Sequence, residues 1–253
     1  MAAMPSIEVS EERGVRYLHF GSELIQGAMR IARPWSLELE YTRDMMMPLL
    51  LRADPDWPET VLQVGLGPGS HTKFLYRHRP RARITVVEMV PEVVAAARQF
   101  FKLPEDDARV RIKIADGHDF LAASHRRFDL ILVDGFDEKG RPGMLDTVPF
   151  YLNCRERLAR RGMMAVNLLT RRRGAQPSFE RLREAFGDRV LLMPPSEAGN
   201  AVAIAAAGAP IHESFADLRT AAAKLKAQTG LDLGPAIARI ASNGAAHGEA
   251  ITL

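Results

Sequence analysis

Gly65, Gly67 and Gly69, Glu88, Asp116 with Gly117, and Asp134 with Asp137 are the residues whose types and spacing could do chemistry in this chain. Each group follows a short apolar run: Thr60-Val-Leu-Gln-Val, Ala82-Arg-Ile-Thr-Val-Val, Ile112-Lys-Ile-Ala and Phe128-Asp-Leu-Ile-Leu-Val. The glycines of Gly65-Leu-Gly-Pro-Gly69 permit a tight strand-to-helix turn and a close approach of backbone to a ligand. The amides of a helix that follows them favour negative or polar groups. Glu88, about twenty residues further on, stands where a carboxylate accepts hydrogen bonds from both ribose hydroxyls of a nucleoside, and Met89 is grouped with it. Asp116-Gly117 offers acceptors to an adenine amino group. Asp134 and Asp137 form the sharpest pair. One carboxylate would orient a cationic amine and the other would help to strip its proton, because an amine must be neutral to attack a sulfonium-activated carbon. Plainer readings stand beside these: a structural glycine turn, a solvated strand-end carboxylate, an Asp-Gly turn and a strand cap. A dinucleotide fingerprint would need a glycine where Ser70 stands, so the spacing favours an S-adenosylmethionine-like ligand over NAD.

The elements that must position these residues follow from the apolar runs. Short segments rich in Val, Ile and Leu that end in glycine or an acidic residue read as buried parallel strands whose carboxyl ends open onto a ligand. Helices are expected over Thr72–His78, Pro91–Phe101, Asp119–Ser124, Thr147–Arg160 (ended by Gly162), Ser178–Phe186 and His212–Gln228. Further strands are expected over Met163–Leu169, Arg189–Met193 and Ala201–Ala206, the last two as a hairpin across Pro194-Pro195. Alternating strands and helices give a doubly wound α/β sheet of the Rossmann-like, class I methyltransferase type. Ile7–Ile31 reads as a hairpin turning near Gly21-Ser22. Pro34 then introduces a helix capped by Ser36, whose stripe from Leu37 to Leu50 includes Met45, Met46 and Met47 as core residues. The expected division is a small β segment over 1–35, an adenosyl-binding domain over 36–210, and a C-terminal helix with a flexible tail over 211–253.

At 253 residues and 47% hydrophobic, the chain can bury a full core. A net charge of +3 permits a nucleic-acid partner without implying one, and the arginines at 155, 157, 160, 161 and 171–173 read as a solvated face. The single cysteine, Cys154, excludes an internal disulfide, and no Cys/His spacing suggests zinc. The acidic start and the lack of a long apolar stretch point to a cytoplasmic protein without a membrane segment.

Taken together, Val61–Gly69, Val86-Val-Glu88 with Pro91-Glu-Val93, Ala115-Asp-Gly-His-Asp-Phe120, Phe128–Asp137, Pro149-Phe-Tyr151 and Leu158–Val166 resemble the spermidine synthase (polyamine aminopropyltransferase) family. The resemblance covers residues 15 to 205, although each motif alone is shared with class I methyltransferases. It implies that Gln26 contacts the nucleoside, Glu88 the ribose, and Asp116 with Gly117 the adenine. It also implies that Asp134 orients and deprotonates an acceptor amine, with Asp137 as a second amine ligand. The donor of the family is decarboxylated S-adenosylmethionine, which gives an aminopropyl group to putrescine and leaves methylthioadenosine. A homodimer is implied as well, and no metal. Two departures keep alternatives open. Pro68 stands where the family carries an aspartate for the donor's ammonium, and Leu39-Glu-Tyr41 replaces its Tyr-His-Glu segment. An S-adenosylmethionine-dependent methyltransferase and a non-catalytic adenosyl-binding protein are the other two readings.

Overall fold

Alternation inside the apolar runs decides the architecture. Val61, Val86, Leu130 and Leu132 pack to one side, while Leu62, Val64, Val87, Ile131 and Val133 pack to the other. Strands buried on both faces need helices on both faces. In the computed structural model, which describes residues 7–21, 25–170, 174–196, 199–243 and 249–253, they form a seven-stranded sheet. Its strands are β4 (Thr60–Val64), β5 (Arg83–Glu88), β6 (Val110–Ile114), β7 (Phe128–Val133), β8 (Leu158–Leu169), β9 (Val190–Leu192) and β10 (Asn200–Ala206), in the order β6-β5-β4-β7-β8-β10-β9. The pairs from β6 through β8 are parallel, and β10 runs antiparallel to both β8 and β9. The chain steps outward from β4 to β6 and then returns to place β7 on the other side of β4. That is a topological switch point, and it opens a crevice at the carboxyl ends of β4 and β7.

Helices α3 (Ser70–His78) and α4 (Pro91–Phe100) cover one face, and α5 (Gly117–Ala123), α6 (Val148–Arg157) and α7 (Gln176–Phe186) cover the other. Their starts follow local chemistry. Gly69, at φ 71°, precedes α3, Pro91 opens α4, Asp116 caps α5 through the N–H groups of His118 and Asp119, and Thr147 caps α6. The sixth helix stops at Arg157 rather than Arg160, because Leu158 already pairs with Phe128. Gly162, expected to end that helix, lies inside β8 with its Cα against Leu158 and Ala159.

The N-terminal segment is a three-stranded antiparallel sheet rather than a hairpin: β1 (Ile7–Glu12), β2 (Val15–Phe20) and β3 (Ile25–Arg30). Arg13-Gly14 supplies the first turn with both residues at positive φ, a tight reversal that the loose alternation of side chains did not reveal. The helix expected from Ser36 is two short ones, α1 (Glu40–Asp44) and α2 (Pro48–Leu51). Leu39, not Ser36, precedes α1, and Pro48 starts a new helix instead of continuing the first. Met45, Met46 and Met47 between them are fully buried.

At the C-terminus β11 (His212–Ser214) leads into α8 (Phe215–Thr229), then α9 (Gly234–Ser242) and β12 (Ala250–Thr252). In the described part of the expected tail β12 pairs with β11, and Ile251 and Leu253 join the core, as Ile237 and Ile240 of α9 do. No described helix is long and apolar enough to cross a membrane. Arg171, Arg172 and Arg173 lie outside the described residues.

Candidate functional site

The glycine loop after β4 is fixed from three sides. The Gly65 N–H donates to the Val87 carbonyl at 2.9 Å, and the Asp134 N–H donates to the Val64 carbonyl at 2.9 Å. Gly65 is at φ 86°, and a Cβ there would strike the backbone carbonyl of Asp134, so only glycine lets the two strand ends meet. Gln63, buried below, donates from Nε2 to the Gly65 carbonyl (2.9 Å) and accepts at Oε1 from Thr72 (2.7 Å), which ties the loop to α3. Gly67, at φ 52°, lies beneath β3; an added Cβ would meet the Gln26 carbonyl at 3.4 Å. Pro68 packs its ring on the bare Cα of Gly27, so β3 closes over the loop.

Glu88 ends β5 with only 8% of its surface exposed. Its Oε2 accepts from the Leu66 N–H at 2.8 Å and its Oε1 from the Val90 N–H at 2.9 Å. Burial raises its pKa, and the backbone N–H groups of Leu66, Val90 and Met89 work in the opposite direction. Each oxygen keeps a lone pair for a further donor. Met89 beside it is 60% exposed, a large apolar side chain presented at the mouth of the crevice.

Asp116 is exposed and its Oδ1 accepts the two N–H groups that start α5, at 2.8 and 3.1 Å. Asp116, His118 and Asp119 bring ligand-type atoms within 4.8 Å of one another, but this is the geometry of a helix cap. Gly117 lies against Val64 and Leu145, and Gly135 against Leu145 as well, so Leu145 reaches over the ends of β4 and β7.

Asp134 follows β7 and turns its carboxylate toward the face that carries α1 and α3. Oδ2 accepts from the Tyr41 hydroxyl at 3.2 Å and Oδ1 from the Asn167 side-chain amide at 2.8 Å. Burial raises its pKa, opposed by His71, Asn167 and Tyr41. His71 is 2% exposed, donates from Nε2 to the Thr42 carbonyl at 3.2 Å, and is pushed by burial below the usual histidine range. Asp137 is placed differently. Its Oδ1 accepts the N–H groups of Lys139 and Arg141, both at 2.9 Å, and its Oδ2 accepts from the Arg141 guanidinium at 2.7 Å. Partial burial works to raise its pKa, but these donors outweigh it and hold the carboxyl low. Asp137 thus organises the loop from 137 to 141, while Asp134 is held between Tyr41 and Asn167.

A cavity of about 430 Å³ opens beside this loop, lined by Gly135, Phe136, Leu145, Asn167 and Arg181 among others. Within it Asp146 accepts from Tyr151, Ser178 and Arg181. Asn167 is the residue it shares with the Asp134 cluster.

The structure therefore brings Gly65, Gly67, Gly69, Glu88 and Gln26 around one loop, with Asp134 in direct backbone contact with it. Two polar residues of the cluster, His71 and Asn167, carried no expectation from sequence. Asn167 had a signal: it is the one polar side chain in Met-Met-Ala-Val-Asn-Leu-Leu, an otherwise apolar strand.

The spermine/spermidine synthase domain profile matches residues 39–167, the stretch from the residue before α1 to Asn167. The chain belongs to that family. The polyamine aminopropyltransferase of Chromobacterium violaceum is 37% identical to it over 238 residues, 94% of this chain and 90% of that relative. The same-named protein of Neisseria meningitidis serogroup A is 33% identical over 248 residues, 98% of this chain and 94% of the relative. Among solved structures, human methyltransferase-like protein 13 in complex with SAH superimposes with a TM-score of 0.68 at 23% identity, covering 76% of this chain and 93% of that one. At that identity the likeness speaks for the fold alone.

Proposed function

We propose that this member of the family transfers an aminopropyl group from decarboxylated S-adenosylmethionine to a small diamine such as putrescine. The observation that carries the reading is the Asp134 carboxylate, held between Tyr41 and Asn167 at the end of β7 and touching the glycine loop through its own backbone. The cradle suits an adenosyl group. Gly67 brings bare backbone beneath the Gln26 carbonyl of β3, Glu88 has lone-pair capacity for ribose hydroxyls, and Met89 with Leu145 offers apolar surface for a base. Gln26, Asp116 and Gly117 would complete the nucleoside contacts.

In the reaction the amine nitrogen attacks the carbon beside the sulfonium, a C–N bond forms, the C–S bond breaks, and its electron pair neutralises the sulfur of methylthioadenosine. Asp134 anchors the acceptor's ammonium, then takes the proton that must leave nitrogen; burial makes it a stronger base than a surface carboxylate. Tyr41 and Asn167 keep the carboxylate aimed. Asp137, bound to Arg141, shapes the loop beside the acceptor. The same reading includes a homodimer and a cytoplasmic location.

Pro68 favours one competing donor, S-adenosylmethionine, because it removes the carboxylate that suits an ammonium. Calorimetric titration with S-adenosylmethionine, decarboxylated S-adenosylmethionine and methylthioadenosine, followed by product analysis with putrescine, separates the two. Tighter binding of the decarboxylated donor and formation of spermidine are expected. Preferential binding of S-adenosylmethionine with no spermidine would move the protein to methyl transfer.

A further inference from the structure

Asn167 sits on β8 with 5% of its surface exposed, and a buried side-chain amide has two orientations that exchange donor and acceptor. In one it donates to the Asp134 carboxylate. In the other it sets its own carbonyl oxygen against that carboxylate. The choice is made one strand away. Asn200, the first residue of β10, donates from its Nδ2 to Asn167 Oδ1 at 2.9 Å, while Asn167 Nδ2 donates to Asp134 Oδ1 at 2.8 Å. The register explains why the two amides meet. Asn167 stands opposite Val202 and Asn200 opposite Leu169, so Asn200 is the diagonal neighbour of Asn167 on the same face of the sheet. Reversing Asn167 alone would oppose its NH₂ to that of Asn200. Reversing both would leave oxygen facing carboxylate at Asp134. Only the observed order satisfies every group.

We propose that Asn200 is a positioning residue for Asp134, acting through the amide of Asn167. This rests on the reading of Asp134 as the carboxylate that accepts the amine proton. Asn200 is itself held: its carbonyl accepts from the Ser196 N–H at 2.7 Å, and its N–H donates to Ser196 Oγ at 3.4 Å. It lies beyond the 39–167 stretch that the family profile matches, on the strand that reverses direction in the sheet. The other groups that face Asp134 are Tyr41 from α1 and His71 from α3. Burial lowers the pKa of His71, and its Nε2 is engaged with the Thr42 carbonyl, so the hydrogen bonds to Asp134 come from Tyr41 and Asn167. Without Asn200, Asn167 is free to turn. The ionised form of Asp134 then loses a donor, and the carboxyl holds its proton to higher pH.

The test uses Asn200→Ala and the near-isosteric Asn200→Asp, with the Asp134 carboxyl followed by carbon NMR and assigned by its loss in Asp134→Asn. In Asn200→Ala the ionisation constant of Asp134 is expected to fall about three- to tenfold. In Asn200→Asp, which offers Asn167 an acceptor and turns its oxygen toward Asp134, the fall should be larger. The kcat/KM of both variants should drop more at pH 6 than at pH 8, with methylthioadenosine binding retained. An unchanged Asp134 titration in either folded variant would overturn the proposal, and so would failure of both to fold, which would make Asn200 a residue of the fold alone. If instead Asp134→Asn keeps full turnover, the catalytic reading fails while the NMR coupling between Asn200 and Asp134 still reports on the relay.

Discussion

Asp134 and Glu88 are both carboxylates at strand ends, yet their surroundings give them different work. Glu88 is occupied by backbone N–H groups on both oxygens, which ties it to the glycine loop, and in the proposed reading it also meets the ribose hydroxyls. Its replacement by alanine is expected to weaken methylthioadenosine binding by about 1–3 kcal/mol in calorimetry, since charge-assisted hydrogen bonds are lost. Among the described residues Asp134 accepts only from the side chains of Tyr41 and Asn167, and Asp134→Asn should lower kcat by about 10²- to 10⁴-fold while leaving nucleoside affinity within a factor of ten. A comparable loss in both quantities would mean that Asp134 organises the pocket rather than the chemistry. These two residues were legible in the sequence because each ends an apolar run, and the sheet fixes which way a strand end points. His71 left no trace there, and Asn167 only its lone polarity in an apolar strand, because their neighbours in space come from α1 and the end of β7, far away along the chain. Asp137 carried the same composition signal as Asp134, but the turn to Arg141 decides its contacts, and a spacing of three says nothing about that turn.

At the scale of elements, the glycine loop and β3 are matched surfaces. Pro68 occupies the space that a Cβ on Gly27 would need, and Ser70 donates to the Ala28 carbonyl at 3.4 Å, so β3 lies directly over the start of α3. Gly27→Ala should overpack this contact, with about 1–3 kcal/mol lost in denaturant unfolding and weaker donor binding. Adding Pro68→Ala should restore much of both. Failure of the double variant to recover would show that the contact does not couple the two elements. The parallel strands were readable because long-range burial on two faces leaves a local trace, a continuous run of Val, Ile and Leu. The reversal at Arg13-Gly14 that separates β1 from β2, the split of α1 from α2 and the β11–β12 pair left little trace. Short elements owe their existence to partners elsewhere rather than to their own periodicity.

For the molecule as a whole, Lys73 sets a pH dependence of stability. The residue is 1% exposed, and its ammonium donates to the Phe101 carbonyl at 2.8 Å, the one acceptor it has among the described residues. Burial, with Lys102 adding to it, lowers its pKa from 10.5 to about 7. Between these two values the unfolded chain binds a proton that the folded chain does not. Stability should therefore rise with pH from about 7 to 10, by up to about 1.4 kcal/mol per pH unit from this group. Lys73→Met should be more stable than the parent near pH 6 and lose that slope. Equal slopes in denaturant titrations of the two proteins would refute the assignment.

Helix α1 carries Tyr41 to Asp134, and it is only five residues long. Its ends are gripped by Arg239 of α9, which donates to Glu40 and to the buried Asp44, partners 199 and 195 residues earlier in the chain. Such a helix has no independent stability, so its brace must arrive before it can hold. During synthesis, then, the strands of the glycine loop can pair while Tyr41 is still unanchored, and the carboxylate cluster is completed only when α9 has emerged and docked. A ribosome-bound chain stalled before Arg239 would carry the glycine loop without a finished Asp134–Tyr41 contact.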